Sequence, residues 1–239
     1  DEQRVVTFWL TIASLALTAW AIFATAPDGR TVLFDGSYVS DAFSQVLKLG
    51  VVGMVAVGFL YARDYLTQQG LLKGEYYTLG LFGLLGMLIM ISANSLLTMY
   101  LGLETLSLSL YALVAFDRDN ADSAEEAMKY FVLGSMASGM LLYGMSMIYG
   151  ATGTMDLVLI AQAVSANGSD DIMLVFGLVF LVVGLAFKFG AVPFHMWIPD
   201  VYHGAPVPTT LFISSVPKMA AFAMAFRLLQ TGLGELQGD

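Results

Sequence analysis

Seven long runs of this chain carry almost no charge, and each is long enough to cross a lipid bilayer as a helix. A bilayer core about 30 Å thick is spanned by roughly 20 apolar residues. The runs cover residues 5–26, 42–63, 77–93, 95–116, 127–149, 172–198 and 207–229. The sixth is too long for one straight crossing. It contains Gly190 with Pro193 three residues later, so a broken helix is expected, with a regular part to Gly190 and an irregular continuation. Only 12% of the 239 residues are charged and 58% are hydrophobic. A soluble domain averages about 25% charged residues, so lipid must serve as solvent for much of this surface. The expected fold is an all-α integral membrane protein, a single transmembrane domain of about seven helices.

The connecting segments hold most of the acids and account for the net charge of −9. No basic patch is present to meet phosphates, which excludes nucleic acid as a partner. With no cysteine and two histidines, the chain lacks ligands for iron–sulfur clusters, thiolate metal sites or a haem pair. Redox chemistry is therefore not expected on it. Ala24-Thr25-Ala26 resembles a signal-peptide cleavage site, but the preceding apolar run is too long and Asp1-Glu2-Gln3-Arg4 is not a basic leader. Asp28-Gly29 and Asp35-Gly36 around Thr31–Phe34 predict a small β-hairpin outside the membrane. Asn94 predicts a tight connection between the third and fourth crossings. Residues 155–164 read as a short interfacial helix, ended in solvent by 167–171. Arg4, Arg63, Lys73, Arg118 and Lys129 fall on the side of the N-terminus, against Arg30 and Arg227 opposite, or three with Lys48. That bias puts the N-terminus in the cytoplasm. The first residue is not Met and the last ones follow a helix directly, so the chain is expected to be an inner piece of a longer one.

Charges inside the runs are the functional candidates, because a buried charge costs about 2.5–3.5 kcal/mol at mid-membrane on insertion scales. Glu104 shares a helical face with Tyr100, Ser107 and Tyr111. Lys218 is central in its run beside Pro217, whose missing N–H frees a carbonyl one turn back for Ser214 and Ser215 to satisfy. Lys188 precedes the break, and broken helices at membrane depth line polar cavities. Burial disfavours the charged forms of lysine and glutamate alike, so such groups can exchange protons near neutral pH. Lys129 lies near the end of its run. His195 follows the break and can pass a proton between its two nitrogens. For each residue the plainer alternative is a static pair or an interfacial side chain. Lys48 and Arg227 read as snorkelling residues. Gly80, Gly83, Gly86 and the 134–139 run offer small faces for close helix contact, and the fourteen methionines serve packing.

Several of these segments together resemble the antiporter-like subunits of respiratory complex I. They are Leu-Gly-Leu-Glu104-Thr-Leu-Ser-Leu-Ser-Leu-Tyr-Ala-Leu, Ala127-Met-Lys129-Tyr-Phe-Val-Leu-Gly-Ser, Lys188 ahead of Val192-Pro193-Phe194-His195-Met196-Trp197-Ile198-Pro199-Asp200, and Ser215-Val-Pro-Lys218-Met. The 200–208 stretch is closest to the N-subunit branch of that family in bacterial NADH:quinone oxidoreductase. The likeness covers the whole chain and is strongest over 102–220. It implies an antiporter-like fold of two inverted repeats, the first of which is present here. Glu104 and Lys188 then fall on the family's buried pair and Lys218 on its bridging lysine, while His203 inherits no role. It also implies a bacterial inner-membrane location, other membrane subunits of complex I as partners, and protons and internal water as the transported and relaying species. NADH, FMN, iron–sulfur clusters and quinone would belong to partner subunits, with no cofactor on this chain. A cation/proton antiporter or membrane-bound hydrogenase subunit would share the same charged helices. A non-conducting scaffold would hold them as static pairs.

Overall fold

A computed structural model describes residues 2–27, 29–167 and 171–233; Asp1, Asp28, the 168–170 part of the loop expected in solvent, and residues 234–239 lie outside them. Helix α1 (Glu2–Ala24) leads into a two-stranded antiparallel hairpin of β1 (Thr31–Leu33) and β2 (Tyr38–Ser40), with Val32 opposite Val39. Phe34, Asp35 and Gly36 take left-handed backbone angles at the reversal, where the Asp35-Gly36 signal placed it. Asp41 then opens α2 (Ala42–Gln68) with a reciprocal cap. Its carboxylate accepts from the Ser44 amide at 2.8 Å, and the Ser44 hydroxyl accepts from the Asp41 amide at 3.0 Å.

Helices α3 (Gly74–Ser92) and α4 (Leu96–Val114) follow, joined by Ala93-Asn94-Ser95 as the sequence predicts. Asn120 caps α5 (Ala121–Thr152), and Gly153, with a left-handed backbone, ends it. After α6 (Leu157–Asn167), Asp171 caps α7 (Ile172–Phe189), which ends at Gly190 in the same left-handed conformation. The break leads into α8 (Trp197–Gly204) and then α9 (Val207–Phe226), prolonged by a wide turn over Arg227–Gly232. Among the described residues, seven helices are long and apolar enough to cross a membrane: α1 to α5, α7, and α9 with its extension.

These match the seven expected runs, with two informative differences. Helix α5 begins at Ala121 rather than 127, and α2 continues past Arg63 to Gln68. Both added pieces are polar turns that stay helical beyond the apolar stretch. At 1.5 Å per residue the 32-residue α5 is about 48 Å long, so it outreaches a hydrocarbon core of about 30 Å.

Close helix contact rests on glycine pairs. A Cβ on Gly86 would lie 2.6 Å from the Gly102 carbonyl oxygen and 2.6 Å from the Leu106 amide nitrogen, so α3 and α4 touch backbone to backbone. Gly144 and Gly177 do the same for α5 and α7, a contact that the sequence reading missed. Gly80 and Gly83 receive Phe59 and Phe212, and Gly134 seats the Tyr111 hydroxyl, whereas Gly139 faces open space.

The connections gather at two ends. At one, the Asn94 side-chain amide donates to Gly36 O at 2.8 Å and to Asp156 at 3.3 Å, Arg30 donates to Asn94, and α6 packs on the Arg227–Gly232 turn. At the other, Arg118 pairs with Glu75, and the Ser123 hydroxyl donates to Gly204 O. The hairpin end corrects the snorkelling assignments. Arg227 is 5% exposed. Its guanidinium donates to Ile91 O at 2.8 Å and to both Asp41 oxygens at 2.9 and 3.2 Å. Lys48 is 7% exposed and donates to the Tyr38 hydroxyl at 2.6 Å. Both turn inward because a partner waits inside. Burial pushes the Asp41 carboxyl up, but its bonds to Arg227 and Ser44 and the guanidinium charge outweigh this and hold it below its ordinary value.

Candidate functional site

Glu104 sits midway along α4, and Ser107, one turn on, is fully buried on the same helix. Ser107 donates to Leu103 O at 2.6 Å, which fixes its hydroxyl along the helix and leaves an oxygen lone pair facing α7. Lys188 donates to that oxygen at 2.6 Å from the last turn of α7. A cation there also meets the negative end of the helix dipole. Ser138 of α5 supplies a hydroxyl donor to the Glu104 carboxylate. In the sequence Ser138 belongs to the 134–139 run of small packing residues. No ion pair within 4.0 Å joins Glu104 to Lys188 among the described residues. The two are neighbours across one serine rather than a contact pair.

The break holds Lys188 at this depth. The left-handed backbone of Gly190 stops α7 about level with Ser107, which is roughly 16 Å along α4 from Leu96 at the helical rise. A Cβ on Gly190 would also overlap Ile198. Trp197, 3% exposed, opens α8 and donates its indole N–H to Phe187 O at 3.1 Å. Its ring stacks on Tyr130 and Phe187, with centroids 4.9 and 5.5 Å apart. Nothing in its spacing marked it as the clamp of the break.

An interior void of about 20 Å³ adjoins Lys188, with Tyr130 and Trp197 on one side and Ile213 and Pro217 of α9 on the other. That is room for one water. Pro217 lacks the N–H that would close on the Ile213 carbonyl. Ser214 and Ser215 do not replace it, since both hydroxyls donate to Leu211 O. Lys218 follows, half-buried and without a hydrogen-bond or ion-pair partner among the described residues.

Residues 93–234 match the model of the family described as NADH:quinone oxidoreductase/Mrp antiporter, TM. The chain belongs to this family. The match takes in all the segments on which the resemblance was read. Subunit N of the NADH-quinone oxidoreductase of Hydrogenovibrio crunogenus is 53% identical over 239 residues, covering 100% of this chain and 50% of that protein. Its name agrees with the branch indicated by residues 200–208. The chain spans about half the length of the curated relatives it matches. In the structure of respiratory complex I from Thermus thermophilus with bound aureothin, one chain is 34% identical with a TM-score of 0.79, covering 94% of this chain and 48% of its own. A chain of the Mrp complex from Dietzia sp. superposes with a TM-score of 0.82 at 21% identity, covering 97% and 45%, a likeness of fold.

Within this antiporter-family fold, the other two candidates stand apart from Glu104 and Lys188. Lys129 is ringed by carboxylates, with Glu126 at 2.8 Å, Glu125 at 3.0 Å and Asp200 of α8 at 3.4 Å. Its side chain is 41% exposed, at the end opposite the hairpin. His195 is exposed within the break. The acids around Lys129 were readable as i−4 and i−3 neighbours, but Asp200 was not.

Proposed function

We propose that this chain forms part of a proton-translocating membrane subunit of an NADH:quinone oxidoreductase, embedded with other membrane subunits in a bacterial inner membrane. Glu104, Lys188 and Lys218 carry the proton step in this reading. The observation that carries it is Lys188, a lysine at membrane depth whose one bonded partner among the described residues is the neutral hydroxyl of Ser107. A cation held that way is not neutralised in place, and its protonation responds to the charge on Glu104, which lies one turn of α4 from Ser107. Quinone reduction elsewhere in the complex shifts charge near Glu104. Lys188 then releases its proton through water in the adjoining void towards Pro217 and Lys218, and outward. Ser138 holds the carboxylate in position while this happens. Lys129, fixed by three carboxylates, and the exposed His195 take at most the entry side of such a path. The excess of Arg and Lys at the end opposite the hairpin supports a cytoplasmic placement of that end.

The test is Glu104→Gln in the full-length subunit within its assembled complex. Glutamine keeps the shape and the acceptor for Ser138 but cannot titrate. NADH-driven proton uptake into reconstituted vesicles should fall by on the order of a hundredfold, the lower end of what a positioned acid–base group contributes. The complex should still assemble. Unaltered pumping per NADH oxidised refutes the assignment.

A further inference from the structure

A second lysine is buried without an anion among the described residues, at the hairpin end of α2. Lys48 belongs to the second turn of α2, about 9 Å from the helix start. It lines a cavity of about 580 Å³ between α1, the β-hairpin and α2. Its ammonium has three donors. One goes to the Tyr38 hydroxyl at 2.6 Å. No carboxylate lies within ion-pair distance of it among the described residues. The nearest acid on the same helix end, Asp41, spends its oxygens on Arg227 and the Ser44 amide. Taking an ammonium out of water costs several kcal/mol unless an opposite charge compensates. Two donors and one positive charge are thus left for something that enters the cavity.

The walls say what kind of molecule fits. Near the hairpin they carry the hydroxyl groups of Thr31, Ser40 and Ser44; down α1 they become Ile22, Ala21 and Leu17. From Thr25 to Leu17 the lining runs about 12 Å along α1, from the membrane edge towards its interior. A polar chamber with a cation, continuing into an apolar trough of this length, matches a phospholipid headgroup with the first carbons of its acyl chain. A free anion has no use for the trough. The hairpin wall is held in place by the bonds from the Asn94 amides to Ser37 O and Gly36 O, so the chamber is preformed. Burial pushes the Tyr38 phenol up, yet hydrogen bonding to Lys48 and Ser92, with the Lys48 charge adding to it, holds it below its ordinary value.

We propose that this cavity binds the headgroup of an anionic phospholipid, with Lys48 as the residue that meets its phosphate. The experiment uses the full-length chain in its complex, reconstituted into phosphatidylcholine vesicles. These contain a trace of phosphatidylglycerol or phosphatidylcholine bearing a photoreactive diazirine on the upper acyl chain. Labelling is mapped by peptide mass spectrometry to residues 17–25. The phosphatidylglycerol probe should label this segment at least tenfold more than the phosphatidylcholine probe. Lys48→Met should abolish that preference and Lys48→Arg should restore it. Ala21→Trp, which fills the trough and keeps the charge, should remove labelling by both probes. Equal labelling by the two probes in the unmodified protein overturns the proposal, as does a preference that survives Lys48→Met. Loss of the phosphatidylglycerol signal on adding millimolar inorganic phosphate also overturns it, in favour of a free anion.

Discussion

Removing the charges of Glu104 and Lys188 singly and together measures how strongly they feel each other. Ser107 separates them. It is three residues from Glu104 on α4, so their Cβ atoms are about 5–6 Å apart, and its hydroxyl oxygen lies 2.6 Å from Lys188 Nζ. The two charges are beyond the 4.0 Å of a contact pair, and neighbouring helical positions put their separation on the order of 7 Å. At an effective dielectric constant near 20, two unit charges at about 7 Å attract by roughly 2.4 kcal/mol. The single changes Glu104→Gln and Lys188→Met should each destabilise the full-length subunit by leaving the other charge unopposed. The double variant should then be about 2 kcal/mol more stable than the sum of the two predicts. A contact ion pair would give more, since breaking a buried one costs about 3–5 kcal/mol. Equilibrium unfolding of the four proteins in mixed detergent, followed by tryptophan fluorescence, supplies the cycle. Additivity within about 0.5 kcal/mol would refute electrostatic coupling across Ser107.

Lys218→Arg keeps the charge but almost never deprotonates; the complex should assemble and reduce an artificial acceptor normally while coupled quinone reduction and pumping fall, and full coupled activity would remove Lys218 from the path. Asp41→Asn keeps a capping oxygen but leaves Arg227 buried and unpaired, which should cost about 3–5 kcal/mol near pH 7. Because the folded Asp41 carboxyl lies below its ordinary value, the stabilisation is complete above an unfolded value of about 3.9 and is lost as pH falls through the folded one, so the deficit should shrink below about pH 4 in thermal scans; a pH-independent deficit contradicts the pairing. Gly86→Ala forces apart two backbones that already touch, so the thermal midpoint of the full-length subunit should drop by the equivalent of about 1–3 kcal/mol, and an unchanged midpoint would mean that α3 and α4 can separate freely.

The spans were legible because the cost of exposing backbone to lipid leaves a helix as the one solution for an isolated apolar run. The hairpin was legible because Asp35-Gly36 marks a left-handed turn. Hydropathy missed the first two turns of α5, although Asn120 is a helix-capping residue type and Asp122 stands favourably in the first turn. Lys48 and Arg227 were misjudged for a different reason. Position along a helix measures distance to water, not to a partner, and Arg227 finds Asp41 across 186 residues of chain. Ser138 and Trp197 were invisible as site residues for the same reason: each acts through a neighbour on another helix.

In the proposed function, what separates a carrier from a strut among these cations is the number of anionic oxygens around each. Arg227 has both oxygens of Asp41 and cannot deprotonate, and Lys129 has three carboxylates within 3.4 Å. Releasing a proton from either would leave contacting carboxylate charge unopposed, one charge at Arg227 and three at Lys129. Lys188 has one hydroxyl, and Lys218 has no bonded partner among the described residues. For these two, proton release strands no contacting anion among the described residues. Lys48 also has a neutral partner, but its cavity opens towards the membrane edge on the hairpin side. No second titratable group of the α4–α7–α9 site lines it. The neutral partnering that suits Lys188 to the proposed proton step therefore suits Lys48 to the proposed anion site.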